Sequence, residues 1–171
     1  MEFLVNSKTT VISTWLSYTY SKNDYTFDVL KPQTFANSLD ITHSLSAAFN
    51  YNFTKKLKVS LGGILRSGKP FTKSVAGNET IQNGNRTIVN YNNPNQERLD
   101  NFFRIAISGS YKFNISDALK STIRIGFTTI TDRKNTLDSY YIIANSSTNN
   151  VKIINNYSLP FTPNLSFRVH F

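Results

Sequence analysis

Cysteine is absent from all 171 residues, which excludes disulfides and the thiolate ligands of most structural zinc and redox sites. Histidine is almost as scarce. Only His43 and His170 occur, far apart and without carboxylates at a ligand-like spacing, so neither a metal site nor a cofactor site is expected. No run approaches the roughly 18 apolar residues that a membrane-crossing helix needs. The amino terminus, MEFLVNSK, lacks the charged region, apolar stretch and small-residue cleavage site of a secretory signal. We therefore expect Met1 not to be the start of the natural precursor, and the chain to be a fragment of a longer one.

What is present is strand and turn material: 13 Phe, 9 Tyr and 21 Asn, with many Ser and Thr. The mean hydropathy of −0.31 leaves a membrane open, because a barrel strand needs only about 10 residues of alternating pattern. The formal net charge is +9. Its cations are scattered, with Lys55, Lys56 and Lys58 the one tight group, and no basic helix or RNA-binding aromatic motif accompanies them. Nucleic acid is not an expected partner.

A period of two runs through the chain. Ile41, His43, Leu45, Ala47, Phe49, Tyr51 and Phe53 alternate with Thr42, Ser44, Ser46, Ala48, Asn50 and Asn52, so one strand face is apolar and the other small and polar. Beyond a turn at 54–56, Leu57, Val59, Leu61, Gly63 and Leu65 face away from Lys58, Ser60, Gly62, Ile64 and Arg66. The pattern returns at 103–113, at 122–129 and at 165–171. Short connections at 54–56 and 114–120 alternate with long polar ones at 22–39 and 68–100, the arrangement of an outer-membrane barrel. Arg66, Arg104, Arg124 and Arg168 all fall on the Ser/Asn face. An arginine turned toward the bilayer midplane costs about 2–4 kcal/mol, so these four are expected to face a lumen and the apolar face to meet lipid. Tyr18, Tyr20, Tyr51, Phe53, Tyr111 and Phe113, near strand ends, would form interfacial girdles.

Several stretches resemble the C-terminal barrel of TonB-dependent receptors, especially those of Bacteroidota. TWLSYTYSK (14–22) is similar to that family's strand before a long outer loop. LDITHSLSAAFNYNFTKKLKVSLGGILRSGKPFT (39–72) resembles its Asp-x-x-His strand, tight periplasmic turn and Ser-Gly-x-Pro-aromatic-Thr element. ERLDNFFRIAISGSYKF (97–113) resembles its Arg-Leu-x-x-aromatic-x-Arg segment. TIRIGFTTITDRKNTLDSYY (122–141) looks like the penultimate strand with its Arg-Lys-Asn element, although Thr128 stands where the family commonly has Asn. VKIINNYSLPFTPNLSFRVHF (151–171) resembles the final strand.

The resemblance implies an all-β fold. It is an antiparallel meander of long transmembrane strands, the C-terminal part (about seven strands) of a 22-stranded outer-membrane barrel, with the whole of 1–171 a partial barrel domain. Met1 to Val5 would end one inward strand, and 122–143 and 151–171 would be two long strands. An extra hairpin near Asn145 to Asn150 is the less favoured count. The resemblance also implies that Phe167, Val169 and Phe171 carry the C-terminal signal read by the barrel-assembly machinery. Partners would be outer-membrane lipid, the remaining strands and plug, and TonB through the missing N-terminal part. The location would be the bacterial outer membrane, and the activity import of a scarce nutrient: a siderophore, a cobalamin-like cofactor or a glycan.

Two other readings stay open: a complete small outer-membrane barrel serving as adhesin or structural protein, and a soluble basic β-sandwich or lipocalin-like binder. Enzymatic activity is not expected. The best nominal catalytic set, His43 with Asp40 and a nearby Ser, sits at a strand entrance, and no paired acid and base appears. Gly62-Gly63 and Gly77 do not open a helix after a strand, so no phosphate loop is supported; the glycine pair is expected to permit strand curvature. Sequons at Asn78 and Asn145 are what so much Asn among Ser and Thr produces by chance. Ligand capture, if any, belongs to the loops Lys22 to Leu39 and Gly68 to Gln96.

Overall fold

The computed structural model describes residues 1–116, 119–145 and 150–170. No helix occurs among them. Along the chain come strands β1 (Glu2–Lys8), β2 (Ile12–Tyr20), β3 (Asp24–Thr26), β4 (Thr34–Ala36), β5 (His43–Asn52), β6 (Leu57–Arg66), β7 (Pro70–Phe71) and β8 (Thr80–Asn83). They are followed by β9 (Arg86–Val89), β10 (Glu97–Arg98), β11 (Phe102–Asn114), β12 (Lys120–Thr128), β13 (Thr136–Asn145), β14 (Asn150–Tyr157) and β15 (Thr162–His170).

Seven of these form one antiparallel sheet in the order β1-β2-β5-β6-β11-β12-β15. Sequential strands are spatial neighbours throughout, which makes it a meander. Its turns are short at one rim, at 9–11, 53–56 and 115–119, and the connections at the other rim are long, at 21–42, 67–101 and 129–161. Local chemistry closes the short ones. The Thr9 hydroxyl accepts the amides of Val11 and Ile12 at 3.3 and 3.0 Å, and Thr54 does the same for Lys56 and Leu57 at 3.1 and 2.9 Å. These hydroxyls stand in for the backbone acceptors that a turn removes.

The register is regular across the sheet, so directly paired residues lie on one side. A single row runs Val5, Leu16, Ala47, Gly63 and Ile105; the row nearer the short turns runs Thr14, Phe49, Leu61, Ile107, Phe127 and Pro163. The alternate rows are mostly Ser, Asn, Thr, Gly and cations, interrupted by Leu4, Trp15, Ile64 and Phe102. No described element packs over the apolar side. Leu61 is 43% exposed and Phe167 57%, and Phe102 is the only buried hydrophobic residue among those described. Gly62 and Gly63 keep the regular register with no bulge. Gly63 opens a notch between Ala47 and Ile105, part of an apolar depression of about 510 Å³ on this side of the sheet.

The structure corrects the sequence reading in three places. The stretches 122–143 and 151–171 are not two unbroken strands: β12 and β15 pair in the main sheet, whereas β13 and β14 form a separate two-stranded ribbon. Thr129 and Asp132 cause the break, at φ of 52° and 50°, outside the extended region that a strand requires. On the return strand Pro160, with no N–H to donate, lies within the gap. The hairpin that was the less favoured count therefore exists but adds no strand to the main sheet, which has seven. The first strand is also longer than expected, reaching Lys8, and the second begins at Ile12.

The long connections are not plain loops either. They carry the small hairpins β3–β4 and β8–β9 and the pair β7–β10. The β8–β9 hairpin turns on Gly84-Asn85 with Gly84 at φ 60°, the conformation a two-residue turn opening on glycine uses.

Candidate functional site

Four arginines share the polar side of the sheet. Arg66 lies opposite Ser44 and Phe102, Arg104 opposite Ile64, Arg124 between Ser110 and Ser166, and Arg168 opposite Thr122. The Arg66 guanidinium carbon stands 4.4 Å from the centre of the Phe102 ring, and that of Arg104 stands 5.9 Å from the same ring. A ring face between two cations holds both by its negative quadrupole. Glu2, on the outermost strand, is the only carboxylate among the described residues of the sheet's strands. The face thus offers fixed positive charge with Ser, Asn and Thr donors, chemistry suited to holding anionic or oxygen-rich groups and not to proton transfer.

The base of the long connections is held by buried polar groups. Asp40 is 2% exposed and pairs with Arg98 at 2.5 Å. It also accepts the Asn23 amide and the Thr42 hydroxyl, both at 3.0 Å. Arg98 in turn donates to the carbonyls of Asp40 and Gly68 at 3.3 and 3.0 Å. Four segments separated in sequence, at Asn23, at Asp40 to Thr42, at Gly68 and at Arg98, are thereby tied together. Burial alone would push the Asp40 carboxyl up, but the hydrogen bonds from Arg98, Thr42 and Asn23, with the arginine's charge, outweigh it and hold the group below the usual carboxylate range. Gly68 is required here: a Cβ would fall 1.6 Å from the Leu99 carbonyl oxygen.

Asn135 plays a matching part under the third long connection. Its side-chain oxygen accepts the Phe103 amide at 2.8 Å and its nitrogen donates to the Phe103 carbonyl at 2.9 Å. One amide thus satisfies the backbone of β11 where β12 has turned away, as a neighbouring strand would. The buried Thr129 donates to the Leu159 carbonyl at 3.2 Å, and Asp132 accepts the Phe161 amide at 3.0 Å.

Asp40 and His43 are not brought together as a dyad. The His43 ring bonds the Tyr18 hydroxyl through Nδ1 at 2.8 Å, stacks beside Tyr18 and lies tilted against Tyr20 on the apolar side. A group of three or more His, Asp or Glu able to hold a metal does not occur among the described residues. Aromatic side chains gather at both ends of the apolar rows. Tyr51 and Phe53 meet edge to face at 4.6 Å, and Tyr111, Phe113 and Phe167 form a chain of ring contacts near the short turns. Phe127 stacks on Phe161 at the opposite rim. Phe167 and Val169 lie on the apolar side of β15, opposite Ile123 and Ser121; Phe171 lies outside the described residues.

The sequence pattern assigns no role to Arg98 or Asn135. Both act through contacts across more than thirty positions, which no local pattern encodes. Only the Ser-Gly-x-Pro element hinted at a backbone position closed to side chains. No family model, no curated protein and no solved structure matches the chain. The likeness to TonB-dependent receptors rests on the residues alone.

Proposed function

We propose that this chain is the C-terminal barrel portion of a TonB-dependent outer-membrane transporter, the complete protein binding a scarce nutrient outside and moving it inward through a plugged lumen. The observation that carries the reading is the uncovered apolar side of the seven-stranded sheet, continuous over every strand, set against an opposite side bearing Arg66, Arg104, Arg124 and Arg168. Soluble monomers rarely expose contiguous apolar patches beyond a few hundred Å². A bilayer asks for this two-sidedness, with strands of about 9–11 residues, and β5 and β6 each have 10 residues.

Strand direction adds support. β1 and β15, the two edges, both run from the long-connection rim to the short-turn rim, so they are parallel to each other. An antiparallel barrel closes on these edges only through an odd number of further strands, as a 22-stranded receptor would supply. Unpaired edges in hydrocarbon cost several kcal/mol per backbone group, which disfavours the small stand-alone barrel. The soluble sandwich calls for a second layer over the apolar side, and no described residue provides one. The four arginines would face the lumen, Phe167 and Val169 would be read by the barrel-assembly machinery, and the substrate would be met by the long connections.

The test is the DNA upstream of the Met1 codon, translated in all frames. Further alternating strands, a plug and a signal peptide are the expected result; a promoter preceded by stop codons contradicts it.

A further inference from the structure

Among the described residues of the sheet's strands, the polar side carries one exposed large aromatic: Trp15, 40% exposed and the chain's only tryptophan. Trp15 shares a row with Ala48 and Gly62. The adjacent row, nearer the long connections, runs Ser17, Ser46, Ile64 and Arg104. Between these two rows lies a depression of about 220 Å³, with Trp15 on β2 at one end, Arg104 on β11 at the other, and Ala48 and Gly62 between them. The backbone does not demand this bare floor. A Cβ at Gly62 would meet nothing nearer than the Ala47 carbonyl oxygen at 3.8 Å, an ordinary contact. At the far end the Arg104 guanidinium leans toward the Phe102 ring, which Arg66 shares, and neither arginine has a carboxylate partner among the described residues. A planar fork of donors thus stands at one end of the depression with its charge unneutralised.

Size, charge and polarity together select the occupant. The volume is below the roughly 300–1,000 Å³ of sites for drug-sized ligands, so it admits one ring and excludes a ferric chelate or a corrin. The cation calls for an anionic substituent, and a carboxylate meets a guanidinium fork through two parallel hydrogen bonds. An indole face gives the C–H face of a pyranose an apolar surface to lie on. The Ser46 hydroxyl in the lining offers a partner to a ring hydroxyl, which a plain aromatic acid lacks.

We propose that the depression between Trp15 and Arg104 is a subsite for an acidic sugar ring, its C–H face on the indole and its carboxylate on the Arg104 guanidinium. This rests on the transporter reading above and narrows the cargo to a carboxylate-bearing glycan.

The experiment titrates the full chain, in nonionic micelles free of sugar headgroups, with trigalacturonate or the neutral galactotriose, and follows the emission of Trp15. Trigalacturonate perturbs that emission saturably and binds about tenfold tighter than galactotriose. R104Q removes the preference and leaves the affinity for galactotriose unchanged. W15L, read by calorimetry, and G62V, which fills the floor, weaken both sugars. K112Q, on the same side of the sheet near the short turns, leaves the preference intact. Circular dichroism checks each variant, and R104Q decides the matter if the other two fail to fold. Equal affinity for the two trisaccharides, or binding of neither, by a chain that folds only in detergent overturns the subsite and leaves the transporter reading standing. Equal losses in K112Q and R104Q overturn the assignment to Arg104, and displacement by an equal concentration of benzoate overturns the sugar. A chain that folds as a monomer in plain buffer overturns the transporter reading, and with it the role in import, whatever it binds.

Discussion

The seven-stranded sheet and the base of its long connections are stabilised in opposite ways. The sheet has many strands and almost no interior, with its apolar rows uncovered on one side and its cations and hydroxyls uncovered on the other. The base has little regular structure, yet most of the buried side chains belong to it: Asp40, Thr129 and Asn135, each hydrogen-bonded. Backbone pairing alone leaves a sheet dependent on whatever covers its two faces. Buried polar clamps close a loop without any covering, because each satisfies backbone groups that no neighbouring strand reaches. The sheet therefore needs something to cover its apolar rows, which the proposed membrane setting would supply, and the base does not.

That contrast can be broken on the sheet first. Leu61→Arg, on the apolar side, should destabilise the chain by about 2–4 kcal/mol, whereas Ser60→Arg, one position away on the polar side, should change little. Urea unfolding in micelles reads both, and equal effects would erase the distinction between the faces.

The base should respond to a smaller intrusion. Gly68→Ala places a methyl group against the Leu99 carbonyl and is expected to cost about 1–3 kcal/mol. The loss should appear as faster hydrogen exchange at Leu99, whose amide bonds the Lys69 carbonyl, with the β5–β6 amides unchanged.

Asn135→Ala removes both bonds to Phe103 and should cost about 2 kcal/mol locally. Asn135→Asp keeps the acceptor for the Phe103 amide and loses the donor, so its Phe103 amide should remain partly protected. Identical exchange in the two variants would refute the clamp.

Acid gives the gentlest probe. The Asp40 carboxyl is held below its ordinary value in the folded chain, so its contribution is present above the unfolded value of about 4 and is lost as pH falls through the lower folded value. Protection of the Asn23 amide, which donates to Asp40, should decline in that window, and Asp40→Asn should flatten the profile.

The two regions also differ in how far the sequence discloses them. The sheet is legible because alternation is local: Leu57 to Arg66 states its own two faces, and Thr9 and Thr54 mark their own turns. The polar side of the four arginines follows from the same period. The breaks after Thr128 and before Thr162 are hidden, since Thr129 and Asp132 have no intrinsic need for positive φ, and the bonds that accompany the turn, from Thr129 to the Leu159 carbonyl and from the Phe161 amide to Asp132, join distant segments. The lysines of the short-turn rim are half legible. Lys55, Lys56 and Lys58 cluster in sequence, but Lys112 joins them only through the register of β6 with β11.

The most direct test of the two-faced sheet uses one tryptophan at a time. In a Trp15→Phe background, L61W and S60W are compared in micelles of a detergent with brominated chains, which quench only what the hydrocarbon touches. The account predicts strong quenching at position 61 and little at position 60. Equal quenching at both, or none at 61, would contradict it.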